Sequence, residues 1–189
     1  MDPNERYSRQ RDIVPADRLR DCRIAIVGVG AVGRHLALQL ASVGATQLTV
    51  VDFDTVEESN IASQGYLECD LGRPKVRATA EQCRRINSSV QVIEINDRFR
   101  ASLQLGDVVF CAVDKIATRE LIWRAVKNRV RLFCDARVAA ETIRVLTACD
   151  PASRRHYATT LFSQGEAYVG PCTSRMTIFA ANVAAGMMI

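Results

Sequence analysis

Residues 23–33 read Arg-Ile-Ala-Ile-Val-Gly-Val-Gly-Ala-Val-Gly, an apolar run closed by Gly28, Gly30 and Gly33 and followed by an apolar-periodic segment over 35–43. Strand, glycine turn and helix in that order make G-x-G-x-x-G readable as a nucleotide site. The first glycine permits the tight turn, the second lets a phosphate approach the backbone, and the third lets the helix pack close on the strand. A phosphate then meets the unpaired N–H groups of the helix N-terminus. The same glycines also serve simple turn geometry, so the motif leans on its surroundings.

Outward from this turn, apolar runs rich in β-branched residues recur at 23–27, 47–51, 90–95, 107–113, 130–134 and 142–148. Helical patterns fall between the first five, at 31–43, 74–86, a short piece near 99–105, and 117–127. The alternation predicts an α/β fold, a Rossmann-like, doubly wound, mostly parallel sheet with helices on both faces. After a short connection containing Arg137, the sixth run alternates apolar and polar residues, as a half-covered strand near an edge does. Residues 1–21 read as an N-terminal helical element, 150–171 as a loop crossing over the sheet, and 172–189 as a final apolar helix. The length of 189 residues suits a single domain. The apolar ending Ala-Gly-Met-Met-Ile suggests either a continuation or a surface that packs on a partner.

Composition narrows the classes. Apolar residues make up 48% and charged residues 24%, ordinary for a globular protein. No apolar run approaches the roughly 20 residues that span a bilayer. A polar start argues against a secretory leader and for a cytoplasmic protein. The net charge of +4 comes from interspersed arginines, which argues against a nucleic-acid partner. Seven cysteines, odd in number and without a C-x-x-C pair, point to reduced thiols and away from a structural zinc site. His35 and His156 suggest no metal pair.

The residues beyond the glycine turn decide between nucleotide chemistries. Asp52 ends the second strand 19 residues after Gly33, where a carboxylate commonly takes a ribose hydroxyl. Beyond it runs Val-Val-Asp-Phe-Asp-Thr-Val-Glu-Glu-Ser-Asn, adding Asp54 and Asn60, then Gln64, and then Gly-Arg-Pro-Lys with Lys75 opening the next helix. A dinucleotide dehydrogenase has little use for these groups, whereas a triphosphate being cleaved needs its charge compensated. Plainer readings stand beside this one. Asp52 and Asp54 can cap a turn, Lys75 can be a solvated helix-start residue, Asp114 can cap the helix after it, and Arg9 can lie on the surface.

These motifs together resemble the ThiF/MoeB-type adenylyltransferases, which include the ubiquitin-activating enzymes. The resemblance covers nearly the whole chain, from Arg-Tyr-Ser-Arg-Gln at 6–10 through the glycine turn, the 50–60 run and Gly-Arg-Pro-Lys to Cys-Ala-Val-Asp at 111–114. It implies ATP and Mg2+ as cofactors, with Asp52 on the ribose, Asn60, Lys75 and Arg9 on phosphate, and Asp114 at the magnesium. It also implies a homodimer in which Arg9 reaches across to the partner's nucleotide. The implied activity is adenylation of the C-terminal carboxylate of a small ubiquitin-like or sulfur-carrier protein ending in Gly-Gly.

Two departures bear on activity. Where the family reads Ser-Asn-Leu-Gln-Arg-Gln this chain has Ser-Asn-Ile-Ala-Ser-Gln, so Ser63 replaces a phosphate-binding arginine. Lys115 follows Asp114 where an asparagine is common, and Lys115 and Arg73 are the candidates to restore the lost charge. Cys172, in Val-Gly-Pro-Cys-Thr-Ser-Arg, sits at the start of the expected final helix, where the helix dipole and Arg175 favour a thiolate. Pro-Cys-Thr resembles the thioester-forming motif of ubiquitin-activating enzymes; the alternative is a small residue packing a helix start. Two rivals share part of this pattern: an NAD-dependent oxidoreductase using Gly28, Gly30, Gly33 and Asp52, and a non-catalytic scaffold that lost activity through Ser63.

Overall fold

A computed structural model describes residues 3–139, 142–162 and 176–189. Short N-terminal helices α1 (Pro3–Arg6) and α2 (Ala16–Arg20) flank a 3-10 turn at Ser8–Gln10. Then come β1 (Arg23–Val27), α3 (Ala31–Val43), β2 (Gln47–Val51), α4 (Glu58–Gln64), α5 (Lys75–Ile86), β3 (Gln91–Ile95) and β4 (Val108–Cys111). The chain ends with α6 (Ile116–Val126), β5 (Leu132–Ala139), β6 (Thr142–Ala148), α7 (Pro151–Thr159) and α8 (Ile178–Met188). Among the described residues no helix is long and apolar enough to cross a membrane.

The strands form one sheet in the order β3-β2-β1-β4-β5-β6, parallel except for β6. This is the Rossmann-like, doubly wound arrangement expected from the alternation of runs. Alternation within β1 shows why it needs cover on both sides. Ile24 and Ile26 face a core shared with Leu36, Leu40, Val50 and Ala181, while Ala25 and Val27 face one built from Ile122, Trp123, Phe133 and Tyr157. Thus α3, α5 and α8 cover one face and α6 and α7 the other. The fully buried Ala181, Ala184 and Ala185 bring α8 close to α3.

Four sequence expectations need correction. Residues 151–159 are helix α7 where a crossover loop was expected over 150–171: Asp150 caps it, accepting from the N–H groups of Ala152 and Ser153, and Pro151 sits at its first turn. No helix forms near 99–105. There the Arg129 guanidinium donates to the carbonyls of Ala101 and Leu103 and to Gln104, and the missing helix leaves Ile93 exposed on the β3 edge. Arg137 belongs to β5 rather than to a connection, because β5 continues to Ala139 to pair with β6. The final helix begins at Ile178, and residues 163–175 lie outside the described residues.

Candidate functional site

Strand order reverses at β1, with β2 on one side and β4 on the other. In open α/β sheets the crevice at that reversal, beyond the carboxyl ends of the strands, is where ligands bind. The glycine turn lies there. Gly28 has φ +88°, and a Cβ on it would stand 2.6 Å from the Ala112 carbonyl oxygen. A Cβ on Gly33 would stand 1.8 Å from the Gly28 oxygen, so this residue allows α3 to seat on the turn. Gly30 differs: the nearest atom to a Cβ there is Gln64 Oε1, at 3.8 Å. The space over the start of α3 is open, and Gly30 caps the helix without a side chain.

The loop after β2 closes one wall. The Val29 N–H donates to Asp52 Oδ2 (2.8 Å) and the Asp54 N–H to Asp52 Oδ1 (2.9 Å). Burial pushes the Asp52 carboxyl above its ordinary pKa, opposed by these two hydrogen bonds and by Lys75. The Gly-Arg-Pro-Lys segment docks on the same loop: the Lys75 N–H donates to the Asp54 carbonyl (2.9 Å), and that of Val56 to the Arg73 carbonyl (2.9 Å). Lys75, only 6% exposed, points its Nζ at Asp54 Oδ2, 3.4 Å away. Tyr66 carries no motif in the sequence, yet its buried hydroxyl donates to the Val29 carbonyl (2.6 Å) and meets Thr79 Oγ1 at 3.0 Å. Burial raises its phenol strongly, keeping it a neutral donor at the glycine turn.

Asn60 and Gln64 both come from α4, with different environments. Asn60 Oδ1 accepts from the Glu57 N–H (3.0 Å) as half of a capping box, so this buried side chain serves the helix start. Gln64 Oε1 is buried without a hydrogen-bond partner among the described residues, beside the open space at Gly30. An orphaned acceptor next to a free helix N-terminus fits a bound polar ligand such as a nucleotide. Ser63 turns back on its own helix, donating to the Ser59 carbonyl (2.9 Å). Arg73 is paired with Asp70 (3.1 Å) and Glu81 (2.5 Å), whereas Lys115 is exposed beside Asp114.

Asp114 stands on the opposite wall, between β4 and α6. It does not cap α6, whose N-cap is Lys115 without a side-chain hydrogen bond. Asp114 is exposed, one residue from Val113, whose Cγ1 would lie 3.2 Å from a Cβ on Gly28. Among the described residues no three His, Cys, Asp or Glu side chains group to hold a metal ion. A single carboxylate fits magnesium, which is usually carried by one or two carboxylates together with substrate phosphates.

One expected site residue, Arg9, is not brought to the crevice of its own chain. Arg9 is exposed on the 3-10 turn, and its neighbours dock at the far end of α3: Gln10 Nε2 donates to the Val43 carbonyl (2.8 Å), and Tyr7 packs on Gly44. Thirteen residues of helix put that end roughly 20 Å from the glycine turn. Cys172 and Arg175 lie outside the described residues.

A family model, described as the ThiF family, matches residues 7–189. Over 111 residues the chain is 37% identical to the adenylyltransferase and sulfurtransferase MOCS3-1 of Zea mays, covering 56% of this chain and 24% of that protein. It is 33% identical over 125 residues to the molybdopterin-synthase adenylyltransferase of Escherichia coli K12, covering 60% and 50% respectively. The matched stretches thus span half or less of these relatives' lengths. The crystal structure of PaaA superimposes with a TM-score of 0.77 at 23% identity, covering 97% of this chain and 62% of that one, a likeness of fold.

Proposed function

The chain belongs to the ThiF family, and from that premise we propose that it catalyses ATP-dependent adenylation of the C-terminal carboxylate of a small ubiquitin-like or sulfur-carrier protein. One observation carries the reading. Four separate sequence segments, the glycine turn, Asp52–Asp54, Lys75 and the Asp114 loop, converge on the crevice where strand order reverses. The relatives' names agree with this chemistry, one being a molybdopterin-synthase adenylyltransferase.

In the proposed reaction a carboxylate oxygen of the carrier attacks the α-phosphorus of ATP. The bond to the bridging oxygen breaks, pyrophosphate leaves with its electron pair, and an acyl-adenylate forms. Little proton transfer is needed, so holding the reactants and neutralising charge supply the catalysis. Asp52, already fixed to the glycine turn, offers its remaining lone pairs to the ribose, while the first turn of α3 presents N–H groups to phosphate. Lys75 is held by Asp54 until phosphate charge competes for it. Magnesium, carried at Asp114, would neutralise phosphate charge. Arg9 lies too far from its own crevice to serve it, which supports its service to a second copy across a homodimer.

Exchange of radiolabelled pyrophosphate into ATP, dependent on a carrier protein ending in Gly-Gly, tests the reading. Asp114→Ala should abolish exchange while the far-UV circular dichroism stays native. Full exchange by folded Asp114→Ala sinks the metal assignment. A second reading, a scaffold without catalysis, is favoured by the one observation that Ser63 stands in place of a cation while Arg73 is already paired with Asp70 and Glu81; magnesium-ATP binding without exchange is its signature. Stabilisation by NADH but not by magnesium-ATP in a thermal-shift titration would replace the adenylation chemistry proposed here with that of a dinucleotide oxidoreductase.

A further inference from the structure

Asp135 stands in the otherwise apolar start of β5 with no exposure at all. A buried carboxylate persists only when charge partners and hydrogen bonds surround it. Here three side chains supply them. Arg119 Nη1 donates to Oδ1, while Arg137 Nε (2.8 Å) and the Tyr157 hydroxyl (3.0 Å) donate to Oδ2. Each partner is tied to another element. Arg137 donates to the carbonyl (2.8 Å) and hydroxyl (3.1 Å) of Thr160 at the end of α7, and the Tyr157 ring packs on Trp123 of α6, with centroids 4.7 Å apart.

Arg119 is the link to the crevice. Its Nη1 also donates to the Ala136 carbonyl (2.9 Å), and its Nη2 donates to the carbonyl of Val113. Val113 borders Gly28 and immediately precedes Asp114. The chain of contacts therefore runs from a fully buried carboxylate, through one guanidinium, to the loop that forms the crevice's second wall. Burial disfavours the Arg119 cation, and the charge of Asp114 is among the smaller influences that favour it. A planar fork held at both ends leaves the Val113 carbonyl one orientation.

We infer that Asp135 is a positioning residue for the crevice: through Arg119 it fixes the Val113 carbonyl and so sets where Asp114 stands relative to the glycine turn. The functional consequence rests on the proposed role of Asp114, whereas the mechanical coupling rests on the contacts alone.

Amide hydrogen exchange of the full chain separates the two. In Asp135→Asn, peptides covering 111–118 should exchange roughly ten-fold faster while those over 24–40 keep wild-type rates. The half-saturating magnesium concentration for ATP binding, followed by calorimetry, should rise in parallel, and Arg119→Lys should disturb both readouts less than Arg119→Met. Tyr157→Phe, which removes one donor to Asp135, should loosen the same peptides to a smaller extent and decides the matter by the same criterion should Asp135→Asn not fold. Wild-type exchange over 111–118, or acceleration spread evenly along the chain, overturns the coupling. Loosening confined to 111–118 in a protein that binds no magnesium-ATP sustains the coupling and removes the nucleotide reading instead.

Discussion

Gly30→Ala and Gly33→Ala divide the two tasks of the glycine turn. At Gly33 an added methyl would stand 1.8 Å from the Gly28 oxygen and 2.9 Å from its carbon, both backbone atoms. No flexible side chain can yield, so α3 must move off β1 by about an ångström, opening gaps around Val32, Leu36 and Leu40. Overpacking ordinarily costs about 1–3 kcal/mol. A clash against backbone belongs above that range, at about 3–5 kcal/mol, a large part of the roughly 5–15 kcal/mol that holds a domain folded. Gly30 has φ −70° and no atom nearer than 3.8 Å to the new methyl, so its substitution should change stability by less than about 1 kcal/mol. That methyl would occupy the space a phosphate needs over the start of α3, weakening magnesium-ATP at least ~10-fold, or ~1.4 kcal/mol. Urea unfolding followed by Trp123, the single tryptophan, measures the first effect. Calorimetric titration with magnesium-ATP measures the second. Wild-type affinity in Gly30→Ala would show that phosphate does not sit on this turn, and a wild-type urea midpoint in Gly33→Ala would refute the packing argument.

Mixing Arg9→Ala with Lys75→Ala subunits should restore part of the pyrophosphate exchange that each lacks, because one hybrid crevice then holds both side chains; no recovery despite demonstrated subunit exchange would remove Arg9 from the partner's site. If Cys172 accepts the acyl group, wild type should form a carrier adduct that survives denaturation and is cleaved by thiol reductant. Cys172→Ala should lose that adduct yet keep exchange, and persistence of the adduct would assign it to another cysteine. His35 is buried, and burial followed by the charge of Arg34 lowers its pKa. The unfolded chain then takes up a proton that the folded one refuses, so this contribution to stability is whole above about pH 6.5 and is lost as pH falls. Urea midpoints at pH about 7.5 and about 5.5 should differ more for wild type than for His35→Gln; equal differences would mean His35 titrates alike in both states.

The sheet was legible because strands covered on both faces leave continuous apolar runs, and the helices between them carry a 3.6-residue period. Helix α7 carried no such stripe. Tyr157 is its one fully buried side chain, so Asp150, Pro151 and Ser153, a capping signature, were the signal available for it. The crevice was legible where function demands unusual residues close together in sequence, as at Gly28–Gly33 and Asp52–Asp54. It was not legible where support comes from far along the chain. Tyr66 is 37 residues from the Val29 carbonyl it holds, and Arg119 is 16 from Asp135. One signal for the second pair is present in the sequence nonetheless. Asp135 and Arg137 interrupt Leu-Phe-Cys-Asp-Ala-Arg-Val in a strand whose start is apolar, and charge placed inside a sheet must find partners there. An aspartate in such a run therefore predicts a buried arginine from a neighbouring element. That arginine has more donors than one carboxylate can accept, so it must also hold further acceptors, and here they are the carbonyl of Ala136 and that of Val113 in the wall of the crevice.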